Sequence, residues 1–259
     1  MSESFKIAVI GTGNVSYHLV HAFLKNGIEV VQVVARTDTS AKKFSHSFKL
    51  PVISSAPTIL VEADLYILAV NDDKILEAAE ALSLKGQLVV HTSGSVPMDV
   101  LSRSSSNIGV FYPLQTLSYG HRVDFSHVPV CLEANNKENY HKLEKIARKI
   151  TSAVYPVNSE KRRVLHLAAV FASNFSYHMF TIASSLLESV EIMPELLRPL
   201  ILETASKAVN YPPGSLQTGP AIREDMEVMK MHQELLQNNQ TYAEVYKLLS
   251  KSIVNEKKV

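Results

Sequence analysis

The chain has 259 residues, 26 lysines and arginines against 25 aspartates and glutamates, and one cysteine, Cys131. A net charge of +1 gives no electrostatic basis for holding nucleic acid or an anionic membrane surface. The lone thiol excludes an intrachain disulfide and a thiolate metal cluster, and points to a reducing, cytoplasmic location with no metal site.

The first apolar run, Lys6–Ile10 (KIAVI), reads as a buried parallel strand. It starts too early to leave room for a signal peptide. Gly11-Thr12-Gly13 interrupts it, and helical periodicity begins at once with Val15, Leu19, Val20 and Phe23. Strand, tight glycine turn and helix are the context that a dinucleotide-binding fingerprint requires. Gly11 serves the turn, and Gly13 lets the backbone approach a pyrophosphate at the helix N-terminus, beside Thr12, Asn14 and Val15. Ser16, a small residue, takes the third fingerprint position.

Glu29–Ala35 is a second strand, ending Ala35-Arg36-Thr37 without an acid until Asp38. An acid there would accept hydrogen bonds from the ribose of NAD, whereas a guanidinium fork suits the extra phosphate of NADP. Arg36 and Thr37 therefore favour NADP(H), although an arginine at a strand end is also an ordinary surface residue. Thr39–Phe48 reads as a helix, Pro51–Ile53 as a brief strand and Pro57–Val61 as a helical turn. Leu65–Val70 is a buried strand running into Asn71-Asp72-Asp73, with Asp72 or Asp73 capping a helix over Lys74–Leu82. Val70 and Asn71 should flank the cofactor, because ligands bind beyond the carboxyl ends of such strands.

Gln87–His91 precedes Thr92-Ser93-Gly94-Ser95, a small polar tip that offers donors near a nicotinamide or is simply a loop leading to a helix from Pro97. Asn107–Tyr112, Pro129–Leu132 and Ala153–Val157 are further strands, with Pro113 to Ser118 after the first and a charged helix over Asn136–Thr151. The alternation predicts a doubly wound, mainly parallel α/β sheet over residues 1–157.

Beyond Ser159 no strand-like run follows. Four helices are expected, over Ser159–Val190, Glu195–Val209, Arg223–Gln237 and Tyr242–Val254, forming an all-α domain of residues 158–259. Leu165–Leu187 is too polar for a membrane span. At 3.6 residues per turn His166, Val170, Ser173 and Tyr177 share one face with Asn174 beside them, opposite Phe171, Phe175 and Met179. The polar stripe either finds partners in a core or contacts substrate in a cleft between the domains. His166 is the group whose ordinary pKa suits proton transfer near neutrality. Gly219-Pro220 opens a helix whose start, with Arg223, either holds an anionic group or forms a turn with Arg223 paired to Asp225 or Glu188.

Taken together, IGTGNV at Ile10–Val15, HTSGS at His91–Ser95, FYPLQTLS at Phe111–Ser118, LHLAAVFASNF at Leu165–Phe175 and TGPAIRED at Thr218–Asp225 resemble one family. It joins a Rossmann-like domain to a helical C-terminal domain of unknown function, and its members are described as NADP oxidoreductases of the deazaflavin-coenzyme type. The chain is more distantly similar to pyrroline-5-carboxylate reductase, prephenate dehydrogenase and the 6-phosphogluconate and 3-hydroxyisobutyrate dehydrogenases. The resemblance implies an NADP-dependent oxidoreductase that transfers hydride between NADPH and a small carbonyl or imine, with a homodimer formed through the helical domain. Together with the positions of these residues, this reading gives expected catalytic roles to His166, Asn174 and Ser93, cofactor contacts to Ser93 and Gly94, and substrate contacts to Ser95, Gln115, Ser173, Tyr177 and Arg223. Asn174 matches the helix asparagine of the hydroxyacid dehydrogenases, but their lysine, due at Val170 or Phe171, is absent. That absence argues against hydroxyacid oxidation and admits a second reading, a non-catalytic NADP(H)-binding regulatory protein. No deazaflavin signature is identifiable.

Overall fold

A computed structural model describes residues 5–50, 52–54, 62–82, 84, 86–121 and 123–256. By Cα proximity the chain separates into two compact units, Met1–Asn174 and Phe175–Val259.

The first unit is built on an eight-stranded sheet: β1 (Lys6–Ile10), β2 (Glu29–Ala35), β3 (Val52–Ser54), β4 (Leu65–Leu68), β5 (Leu88–His91), β6 (Asn107–Pro113), β7 (Val130–Ala134) and β8 (Val154–Pro156). The spatial order is β3-β2-β1-β4-β5-β6-β7-β8, so β1 lies between β2 and β4 and the strand order reverses beside it. Pairing is parallel except between β6 and β7. A parallel return needs a crossover long enough to span the sheet, usually a helix. Among the described residues the connection carries only a short 3₁₀ turn, Phe125–His127, and the chain reverses; the strand-helix alternation expected over this stretch breaks at that point.

Alternating residues of β1 serve opposite faces. Ile7 and Val9 join Leu19, Phe23, Phe111 and Leu143 in one apolar cluster, under α1 (Asn14–Lys25) and α4 (Lys137–Ile150). Ala8 and Ile10 join Tyr66, Leu68, Ile75 and Leu101 in another, under α3 (Ile75–Ala81) and the 3₁₀ helix Met98–Arg103. The helix expected from Pro97 takes this tighter form. α2 (Asp38–Ser47) opens with a reciprocal cap: the Thr37 hydroxyl accepts from Ser40 N at 3.2 Å and Thr37 N donates to the Ser40 hydroxyl. Asp72 and Asp73 do not cap α3; they lie in a 3₁₀ turn, Asp72–Lys74, and neither this turn nor α3 has a side-chain cap bond. The helical turn expected at Pro57–Val61 lies outside the described residues, as does the first residue of the strand expected from Pro51.

The helix expected over Ser159–Val190 is three pieces: α5 (Ser159–Ala169), a π-helical turn (Val170–Phe175) and α6 (Ser176–Glu188). A π-turn closes i→i+5 bonds and takes an extra residue per turn. The face drawn at 3.6 residues per turn therefore does not carry from His166 through to Tyr177. α5 and most of the π-turn belong to the first unit. A fully buried arginine, Arg162, ties α5 down. Its Nε donates to Ser93 O at 3.1 Å, its Nη2 to Val96 O at 2.5 Å and Ser159 Oγ at 3.1 Å, and its Nη1 pairs with the Glu133 carboxylate.

The second unit contains α6, α7 (Arg198–Asn210), α8 (Pro220–Arg223), α9 (Met226–Leu235) and α10 (Gln240–Glu256). The helix expected from Arg223 to Gln237 is broken, because Glu224 is left-handed at φ 55° and Asp225 starts α9 by accepting from Val228 N. His232 is fixed by Tyr246, whose hydroxyl lies 2.9 Å from Nδ1.

Candidate functional site

The glycine turn after β1 sits where the strand order reverses, the place where open α/β sheets bind ligands. Gly11 has φ +118°, and a Cβ there would lie 2.2 Å from Ala69 O. The turn can approach the end of β4 this closely only with glycine at that position. Ser16, fully buried, places its hydroxyl 3.4 Å from the same carbonyl. Nothing lies within 4 Å of the position a Cβ would take at Gly13. Gly13 also precedes α1 without offering it a side-chain cap, so the first amide groups of α1 are left to an incoming anion.

In front of this turn is a cavity of about 680 Å³. Gly11, Thr12 and Gly13 form one wall, Arg36, Thr37 and Ser40 a second, and Val70, Asn71, Lys74 and Glu77 a third; Ala78, Ala81 and Leu82 add an apolar face. The structure thus brings together three separate stretches named from the sequence: the glycine turn, the end of β2 and the end of β4. Asn14 and Val15 begin α1 rather than line the cavity, and Val15 packs against the core. Thr37 is first of all the cap of α2, its hydroxyl 2.9 Å from that of Ser40. Lys74, Glu77, Ser40 and the apolar wall carry no motif in the sequence. The i, i+3 spacing of Lys74 and Glu77 suggests only a surface pair.

A second constellation lies at the end of β5. Ser93 Oγ accepts from Ser95 N and Val96 N, both at 3.0 Å, and folds the tip into a closed turn. His91 turns inward. It is fully buried, its Nδ1 accepts from Ser93 N at 3.1 Å, and its Nε2 makes no hydrogen bond of normal length and angle among the described residues. Burial, together with the Arg162 charge, brings its pKa down to about 4 against a partial opposing pull from the Pro97 carbonyl. His91, at the end of β5, is therefore a neutral structural group.

His166, in contrast, stands half-buried over Gly94. A Cβ on Gly94 would lie 2.7 Å from His166 Nδ1 and 2.9 Å from Tyr112 Cζ, so the missing side chain makes room for both rings. The Tyr112 hydroxyl is 3.1 Å from His166 Nδ1, and burial pushes the phenol up to about 12. Tyr112 was not legible as a site residue, because it occurs within an apolar strand and reads as core. Ser173 shares a 2.6 Å hydroxyl contact with Thr116, while Gln115 Oε1 accepts from Thr116 N. The loop beyond is held by His18, whose Nε2 lies 3.0 Å from Ser118 O. Asn174 is exposed in the π-turn. Tyr177 and Arg223 lie in the second unit. Arg223 closes the four-residue α8 and makes no ion pair among the described residues, so neither pairing expected for it forms.

Against solved structures, the chain is 37% identical to a Bacteroides fragilis protein described as an NADP oxidoreductase, over 98% of this chain and 99% of that one, with a TM-score of 0.93. The chain belongs to this family. Residues 6–94 match the family described as NADP oxidoreductase, coenzyme F420-dependent, and residues 128–253 match a domain of unknown function, DUF2520. The fold is shared more widely. A Thermotoga maritima protein aligns at 20% identity over 97% of this chain and 98% of its own, with a TM-score of 0.71. A Coxiella burnetii pyrroline-5-carboxylate reductase aligns at 18% over 99% and 98%, with a TM-score of 0.60. No curated protein matches the sequence. No helix among the described residues is long and apolar enough to cross a membrane.

The depressed pKa of His91 has a signed consequence. Its ordinary value is 6.5 and its folded value about 4, so between these the unfolded chain binds the proton first. Stability contributed by neutral His91 is intact above about pH 6.5 and is lost as the pH falls towards 4, by about 3 kcal/mol at most. Guanidinium unfolding between pH 4 and 7 should show this slope in wild type and lack that component in His91→Asn, whose amide oxygen can still accept from Ser93 N.

Proposed function

We propose that this protein binds NADP(H) at the glycine turn and uses it to reduce a small carbonyl or imine metabolite. The observation that carries the reading is the cavity itself, which joins Gly11 and Gly13 to Arg36 and has no acid at the end of β2. The residues fit the group. The glycine turn and the start of α1 suit a pyrophosphate, Ala78, Ala81 and Leu82 suit an adenine, and Arg36 with the Thr37 and Ser40 hydroxyls suits a 2′-phosphate. Bound there, the dinucleotide supplies hydride.

The chain's own task is then to hold and deliver a proton. With its pKa near 12, the Tyr112 phenol stays protonated at neutral pH. We assign the phenol as the donor to Nδ1, which places the transferable proton of His166 on Nε2, the nitrogen we assign to the substrate. Ser93 and Asn174 add hydrogen-bonding groups, with Ser95, Gln115 and Ser173 as substrate contacts. The lack of a lysine at Val170 or Phe171 favours carbonyl or imine reduction over hydroxyacid oxidation. Cys131 is buried and free, which suits a cytoplasmic setting.

The second unit supports a homodimer. Its side chains bury few apolar groups: among the described residues Ala221 and Leu236 are buried, whereas Leu202 is 71% exposed, Leu235 73% and Val209 84%. A contiguous set of such helices needs a further apolar surface, and a second copy of the same unit supplies one. Sedimentation equilibrium should give twice the chain mass; a monomer at micromolar concentration overturns this part of the reading.

Calorimetric titration tests the cofactor. NADPH should bind and NADH bind more weakly, and Arg36→Ala should lower NADPH affinity about tenfold while leaving NADH little changed. Failure of wild type to bind either overturns the oxidoreductase reading. His166→Ala should keep NADPH affinity and lose stereospecific hydride exchange between labelled NADPH and a metabolite pool. Unchanged exchange removes His166 from the mechanism.

A further inference from the structure

The lining that also holds Arg36 carries an ion pair that the cofactor reading does not require. Lys74 Nζ lies 3.0 Å from Glu77 Oε2, with the lysine side chain 49% exposed and the glutamate 75%. Both residues line the cavity together with Arg36, Thr37 and Ser40. Arg36 itself makes no ion pair among the described residues.

We infer that Lys74 is the second cation of the cavity's phosphate end, held in waiting by Glu77, and that preference for NADPH over NADH depends on Lys74 exchanging that carboxylate for the cofactor's 2′-phosphate. The inference rests on the NADP(H) reading and deepens it.

Charge counting along the lining carries the argument. Arg36 alone faces Glu77, one positive against one negative charge, and a phosphate arriving there gains little net attraction. Lys74 turns the balance positive. Its charge is expressed only when it lets go of Glu77, and the pair is of the kind that yields easily. Exposed i, i+3 pairs contribute little, because water screens them and two long side chains must be held still. A phosphate monoester at neutral pH carries up to two negative charges and three acceptor oxygens, so it outcompetes one carboxylate for an ammonium group. Lys74 has the geometry for the exchange. Its flexible stem follows the 3₁₀ turn into α3, and an ammonium acts as a compact point charge that needs no fixed fork geometry.

The local electrostatics agree. The hydrogen bond and charge of Glu77 raise the pKa of Lys74, with a smaller contribution from Asp73, while the Arg36 guanidinium lowers it. The two cations line one cavity and feel each other's charge. Glu77 acts in the opposite direction. Its carboxylate competes for Lys74 and repels the phosphate, so its removal should tighten NADPH binding.

The experiment is calorimetric titration of full-length wild type, Lys74→Gln, Lys74→Arg, Glu77→Gln and the double variant with NADPH and with NADH. Both side chains are exposed, so each variant should fold, and circular dichroism confirms it. Lys74→Gln should lose about tenfold in NADPH affinity with NADH within about twofold. Lys74→Arg should restore most of the loss, and Glu77→Gln should tighten NADPH severalfold. In the double variant the gain from Glu77→Gln should shrink, because part of it acts through Lys74. An equal loss for both cofactors in Lys74→Gln overturns the inference, since Lys74 would then act on a part that the two share. NADPH binding that depends on Arg36 but is indifferent to Lys74 overturns this inference alone. Absence of NADPH binding in wild type overturns it together with the cofactor reading.

Discussion

The first unit depends on how closely one turn can approach one carbonyl. At Gly11 the backbone passes so near Ala69 O that a single added carbon would lie 2.2 Å from it. This contact draws the end of β1 to the end of β4 at the point where the sheet's order reverses. Ser16, buried against the same carbonyl, keeps α1 tight on the strands. Because the turn is pulled in there, space opens in front of Gly13, and the cavity forms against that space. Its chemistry then follows from what the neighbouring strand ends carry: a guanidinium after β2, a lysine-glutamate pair after β4, and aliphatic groups from α3.

A second constraint governs the other constellation. Arg162 is fully buried and satisfied by two loop carbonyls, a hydroxyl and the Glu133 carboxylate. Removing a charge from water is expensive unless partners of this kind replace the water. The carbonyls of Ser93 and Val96 are therefore held where Arg162 needs them, and α5 is held with them. His166 follows Arg162 by one turn of that helix, which sets its ring over Gly94 and against Tyr112. The short approach at Gly94 and the 3.1 Å contact to Tyr112 are local results of a buried guanidinium some distance along the chain.

What could be read from the sequence divides along physical lines. The sheet strands were legible because burial on both faces leaves continuous apolar runs, and the glycine turn because two glycines between such a run and a helical repeat leave little alternative. Arg36 was legible because the fingerprint gives its position a meaning. Arg162 was not, since in the run Lys161-Arg162-Arg163 nothing marks the one side chain that goes inside. The π-turn was equally hidden. Its residues, Val170 to Phe175, suit an α-helix as well. The reversal between β6 and β7 was obscured because the strands themselves look alike in either direction; only the lack of a helix between them betrays it.

The sheet's borders have a consequence of their own. β3 and β8 form its two rims, and each is three residues long. β8 ends on Pro156, which has no amide hydrogen to give to a neighbour. A rim so short, and partly stripped of donors, is a poor template for another strand. Growth of the sheet by edge pairing, whether into an ordered oligomer or an amyloid-like stack, is discouraged at the β8 side. What such a border leaves open to a partner is side-chain contact between helices, which is selective where backbone pairing is not.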